Sequence, residues 1–100
     1  MEKRRLIVWN QAALVSLENA LQRIATNSPL QAERVEQAVL SKLQEIVRNP
    51  EHYPPDKYKK DNPGNYRAFE THNYRISYRH NEQEIRVLRI RHVKQKPKDY

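Results

Sequence analysis

Between Asn73 and Arg79 the chain alternates without a break. Tyr74, Ile76 and Tyr78 fall on one face of an extended segment, and Arg75, Ser77 and Arg79 fall on the other. A segment with one apolar and one cationic face needs a packed layer on the first and water or an anion on the second, so the chain is expected to build a sheet covered on one side. Strand formers flank it. Tyr66 to Glu70 precedes it across a Thr-His-Asn turn, and His80 to Gln83 turns the chain into a further strand from Glu84 to His92. The order predicts a three-stranded antiparallel meander.

The covering layer is legible upstream. Arg5 to Trp9 is a short apolar run that reads as a buried strand, and Asn10 follows as a helix N-cap. Leu14, Leu17, Leu21 and Ile24 recur at helical spacing, with Glu18, Asn19, Gln22 and Arg23 on the opposite side, which predicts an amphipathic helix over residues 11–26. Ser28 then offers a second N-cap, Pro29 suits the first helical position, and Gln31 completes a capping box. Ala32, Val35, Val39, Leu43 and Ile46 form a second stripe that ends at Asn49-Pro50. The two helices make an αα-hairpin. The expected core packs Leu14, Leu17, Leu21, Val35, Val39 and Leu43 against Ile76, Tyr78, Leu88 and Ile90. From Glu51 to Asn65, where Pro54, Pro55, Pro63 and the only glycine fall, no period is visible, and a connection of this length is usually functional or mobile. The fold class is α+β: an N-terminal strand, a helical hairpin, then the meander, in one domain over residues 1–100.

Charge narrows the partners. The chain has 19 lysines and arginines against 12 carboxylates, a net +7, and between Ile85 and Lys98 there are six cations and no carboxylate. Such a field suits a polyanion, an acidic protein or a membrane headgroup, and with strand formers interleaved RNA is the favoured target. There is no cysteine, and His52, His72, His80 and His92 lack ligand spacing, so neither metal nor cofactor is expected. The apolar run in the opening MEKRRLIVW is too short for a signal-peptide core or a membrane span, which implies a cytoplasmic protein with no membrane partner.

The order of elements, the Tyr-Arg-x-x-Tyr of Tyr74, Arg75 and Tyr78, and a last strand ending in His92 and followed by Lys94 resemble the RelE/ParE superfamily of bacterial toxins. The likeness spans essentially the whole chain, and its specific part lies in residues 66–100. It implies a microbial-ribonuclease-like fold and a cognate antitoxin partner. The RelE branch cuts messenger RNA on the ribosome through attack of the ribose 2′-hydroxyl, whereas the ParE branch inhibits DNA gyrase. Cleavage needs a proton acceptor, cations on the developing phosphorane and an acid for the leaving oxygen. By resemblance, Arg75 falls on the family's strand arginine, Arg67 on a strand lysine, Lys94 on a basic residue after the last strand, and Tyr100 on a late tyrosine. His92 is a further candidate for proton transfer, although strict alternation points it toward the core. Phe69 stands where a second strand lysine is often found and is expected to stack a base. Arg79, Arg89 and Arg91, with Arg86 beside them, are expected to hold RNA phosphates or an acidic antitoxin. The leading expectation is therefore a RelE-like messenger RNA endonuclease acting on the ribosome. The alternatives are a ParE-like gyrase inhibitor and a non-catalytic antitoxin-binding module of the same fold.

Overall fold

The structure, a computed structural model, describes residues 4–100; Met1 to Lys3, the start of the opening stretch read above, lie outside them. The elements are β1 (Leu6–Trp9), α1 (Gln11–Asn27), α2 (Pro29–Arg48), β2 (Tyr66–Thr71), β3 (Tyr74–His80) and β4 (Glu84–His92). They form one four-stranded sheet in the order β1-β4-β3-β2. The expected α+β architecture with its helical hairpin and antiparallel meander is present. No described helix is long and apolar enough to cross a membrane.

Local chemistry explains the joints. Ser28 serves both helices: its N–H donates to the Ile24 carbonyl and closes α1, while its Oγ accepts from the Gln31 N–H at 3.1 Å and opens α2. Because that N–H is already engaged, the reciprocal half of the capping box is not made. Asn10 precedes α1 but makes no side-chain cap; its Oδ1 accepts from Arg86 instead, 3.1 Å away. His72 and Asn73 both have positive φ, 50° and 69°, which makes the β2–β3 connection a two-residue turn, extends β2 to Thr71 and moves the start of β3 from the expected Asn73 to Tyr74. Asn81 Oδ1 accepts from the N–H groups of Gln83 and Glu84 and shapes the β3–β4 turn.

Three expectations are corrected by the packing. The first concerns β1, which pairs only with β4, in parallel, and so is an edge strand; Ile7 and Trp9 pack on the core while Leu6 faces solvent. The second concerns α1, whose buried stripe is Ala13, Leu17 and Ala20, leaving Leu14 exposed. Small alanines bring the helix close to its neighbours, so the inward face is rotated by about one residue from the line of leucines. Leu17→Ala is accordingly expected to cost about 2 to 5 kcal/mol and Leu14→Ala under about 1 kcal/mol, a contrast that urea denaturation of the two variants measures.

The third correction is in β4. Ser77 pairs with Arg89 but Tyr78 pairs with Val87, so Leu88 is an extra residue, a β-bulge. Without it Ile85 and Val87 would face the opposite side from Ile90. With it all three are buried beneath the helices, and Leu88 itself, expected in the core, is only half-buried. The α2 stripe of Ala32, Val35, Val39, Leu43 and Ile46 is buried as expected, against Phe69, Tyr74, Ile76 and Tyr78.

Candidate functional site

The same bulge that gathers the apolar residues of β4 also gathers its cations. Arg89 pairs with Ser77 and Arg91 with Arg75, which puts these arginines on the face of the sheet turned away from the helices. Like charges crowded on neighbouring strands repel unless a counter-charge is supplied. The 51–65 connection supplies it. The Asp56 N–H donates to the Tyr66 carbonyl at 2.8 Å, and Pro55 bridges to Arg67. Asn62 braces the return: its Oδ1 accepts from the N–H groups of Gly64 and Tyr66, and its Nδ2 donates to the Tyr66 carbonyl. Gly64 sits at φ 110°, a conformation that side chains rarely adopt.

This path delivers the Asp56 carboxylate to Arg75. Asp56 Oδ1 accepts from Arg75 Nη2 at 2.8 Å and from the Tyr58 N–H at 3.1 Å, and Oδ2 accepts from the Tyr100 hydroxyl at 2.7 Å. The Asp56 side chain is fully buried and that of Arg75 is 11% exposed. Burial pushes the carboxyl up, but hydrogen bonds from Arg75, Tyr100 and the Tyr58 N–H outweigh it and hold Asp56 below the ordinary aspartate range. Glu70 also pairs with Arg75, at 3.0 Å from the rim. Burial, then the bond to Asp56, raise the Tyr100 phenol above its ordinary value, so it stays protonated.

Aromatic rings complete the cover. The Arg75 and Arg91 guanidinium groups lie 5.0 and 5.2 Å from the Tyr58 ring, and that of Arg89 lies 4.0 Å from the Tyr100 ring. The last residues are strapped down along their main chain. The Tyr100 N–H donates to the Tyr58 carbonyl, the Lys60 N–H donates to the Tyr100 carbonyl, and Arg89 Nη2 donates to the Lys98 carbonyl.

Arg75, Tyr100, Arg89 and Arg91, singled out in the sequence, are thus brought together, but around a buried carboxylate that was not. Arg79 stands nearer the strand end, 3.8 Å from Glu84. The remaining candidates lie elsewhere. Arg67 is on the opposite parity, where it clasps the carbonyls of Glu51, Tyr53 and Gly64 and anchors the loop. Phe69 is 3% exposed between Tyr53 and Tyr78 and has no face left for a base, so its expected stacking role is corrected to core packing. His92 lies half-exposed at the end of β4, edge-on to Tyr74 at 5.2 Å between ring centroids. Lys94 is exposed in the following turn, and its N–H donates to His92 Nδ1. The sequence shows that a cationic face needs a carboxylate, but nothing local ties Asp56, nineteen residues from Arg75, to that role. Chemically the cluster offers a closed, neutralised arginine and a protonated phenol, with the buried carboxylate of Asp56 already engaged in three hydrogen bonds.

The sequence matches the family described as ParE toxin of type II toxin-antitoxin system, parDE, over residues 7–97. The chain belongs to the ParE toxin family. A comparison with curated proteins finds no match. Among solved structures, a chain from "Chromosomal ParDE TA system from P. aeruginosa" is similar in fold, with a TM-score of 0.69 at 17% identity, over 91% of this chain and 98% of that one. Membership makes the protein the toxin of a type II pair, with an antitoxin as its partner. It overturns the endoribonuclease expectation: the family matched is that of ParE toxins and not of ribonucleases, and the expectation of messenger RNA on the ribosome as a partner falls with it.

Proposed function

We propose that this ParE-family toxin acts as an inhibitor of DNA gyrase, by binding and not by covalent chemistry. The observation that carries the reading is the family match across residues 7–97. The geometry supports it independently of the family. Phosphorane stabilisation needs cations free to meet developing charge, whereas Arg75 is spent on Asp56 and Glu70. Proton transfer near neutral pH needs a group poised near that pH, whereas Tyr100 is driven further from it. What the face offers a macromolecular partner is a rigid, cationic, tyrosine-braced surface flanked by the exposed Lys94, Lys96 and Lys98.

The test adds the purified toxin to gyrase and relaxed plasmid, with messenger RNA ends mapped in parallel by primer extension on translating ribosomes. Supercoiling is expected to stop while messages stay intact, and the inhibition is expected to weaken as salt rises, because exposed lysines contribute through long-range attraction. Undiminished supercoiling at saturating toxin would sink the proposal.

A further inference from the structure

A second polar feature lies between α1 and the ends of β3 and β4, and of its lining only Arg91 is shared with the cluster around Asp56. A cavity of 130 Å³ opens where α1 meets the ends of β3 and β4. Ser16, Asn19 and Arg23, at i, i+3 and i+7 on one face of α1, line one wall; Tyr74, Arg91 and His92 line the other. No carboxylate is among its lining residues.

The donors of its helical wall are unspent. Among the described residues the side chains of Ser16, Asn19 and Arg23 make no hydrogen bond or ion pair, in contrast to Arg67, Arg75 and Arg86, whose guanidinium groups are all engaged. Tyr74 is only 8% exposed, and its hydroxyl, which keeps some access to solvent, has no hydrogen-bond partner among the described residues. Arg91 contributes less: its Nε lacks a partner, but its Nη1 donates to the Gln95 carbonyl at 3.0 Å and its guanidinium lies against the Tyr58 ring, on the face turned away from the helices. His92 Nδ1 accepts from the Lys94 N–H, which leaves the proton of a neutral ring on Nε2, as a donor.

We propose that this cavity is a binding site for a phosphate group. The donor set decides the class of anion. A carboxylate has two oxygens with about four lone-pair sites, whereas the Arg23 guanidinium, a phenol, a serine hydroxyl, an asparagine amide and an imidazole N–H offer more donors than that. A phosphate presents three or four strong acceptor oxygens and a larger charge, and arginine matches its geometry in bidentate fashion. The volume also fits: at about 30 Å³ for each water of the liquid, the cavity holds a tetrahedral oxyanion with a water or two. Gln95, whose Oε1 accepts from the His92 N–H, holds the rim beside the opening. The inference stands apart from the gyrase reading, since it requires no partner protein.

The test titrates inorganic phosphate into the full-length protein at constant ionic strength, read by proton–nitrogen NMR of the backbone and of the arginine Nε–H groups. Saturable shifts are expected at Ser16, Asn19, Arg23, Tyr74, Arg91 and His92. Arg23→Gln, on an exposed helical position, is expected to weaken binding about tenfold or more, and Tyr74→Phe, which removes only the hydroxyl, is expected to weaken it measurably with the spectrum otherwise native. A second arm adds a short DNA duplex. Displacement of phosphate from the same residues identifies a nucleic-acid backbone as the source, and simultaneous occupancy identifies free phosphate. Shifts that never saturate, shifts confined to Lys94, Lys96 and Lys98, or variants that bind phosphate like the wild type would each overturn the site.

Discussion

Asp56→Ala is expected to destabilise the protein by about 3 to 5 kcal/mol, because it strands the Arg75 guanidinium, with its side chain only 11% exposed, without its buried counter-ion. For a chain of this size that corresponds to a drop in Tm of roughly 12 °C or more. The Tyr100 hydroxyl and the Tyr58 N–H lose their acceptor in the same step, so the loop and the last residues are expected to loosen together. Arg75→Ala should cost a similar amount by leaving the carboxylate unpaired. The double variant should cost clearly less than the two single losses added, and that non-additivity in denaturation midpoints separates a true pair from two independent contacts. Additive losses would refute the pairing.

The same residue sets an acid limb. The folded Asp56 carboxyl is held below its ordinary value of 3.8, so the native state binds its proton less readily than the unfolded chain does. Its contribution is therefore complete above the unfolded pKa and is lost as pH falls through the depressed folded value. Wild type should lose stability below about pH 4 more steeply than Asp56→Ala, whose curve lacks this contribution.

Deletion of Ile90 is expected to have the largest effect of all. Whether the bulge persists or is absorbed, an arginine takes the inward place of Ile90: Arg91 in the first case, Arg89 in the second. Burying one unpaired cation costs several kcal/mol, against an ordinary domain's stability of about 5 to 15 kcal/mol. Circular dichroism and NMR of that variant should show loss of the native fold. Deletion of Leu88 removes only the extra residue: Val87 and Arg89 become neighbours opposite Tyr78 and Ser77 and every side chain keeps its face, so this variant should remain folded, with a loss of about 1 kcal/mol. A Leu88 deletion that unfolds while the Ile90 deletion keeps native chemical shifts in α1 would show that the bulge does not set the register.

Much of this arrangement is local and therefore determined by the sequence alone. The alternation through Tyr74, Ile76 and Tyr78 required a one-sided sheet, the α2 stripe from Ala32 to Ile46 required a helix packed against it, and the Ser28-Pro29 pair marked the break between the helices. These are properties of neighbours within a few residues, where periodicity and capping chemistry act. Superfamily resemblance was also legible, since the motif from Tyr74 to Lys94 is contiguous. What only the tertiary structure decided depends on residues far apart in the chain. The bulge at Leu88 arises from matching β4 to β3 while the helices demand Ile85, Val87 and Ile90 on one side, and no local pattern announces it. The inward rotation of α1 onto Ala13 and Ala20 reflects close approach, which hydrophobicity by residue type ranks wrongly. Parallel pairing of β1 with β4 joins segments more than seventy residues apart. The fate of Arg75 was settled the same way: a carboxylate nineteen residues upstream and a tyrosine twenty-five residues downstream meet it only when the loop folds over the sheet, so the sequence could show the arginine's face and not its counter-ion.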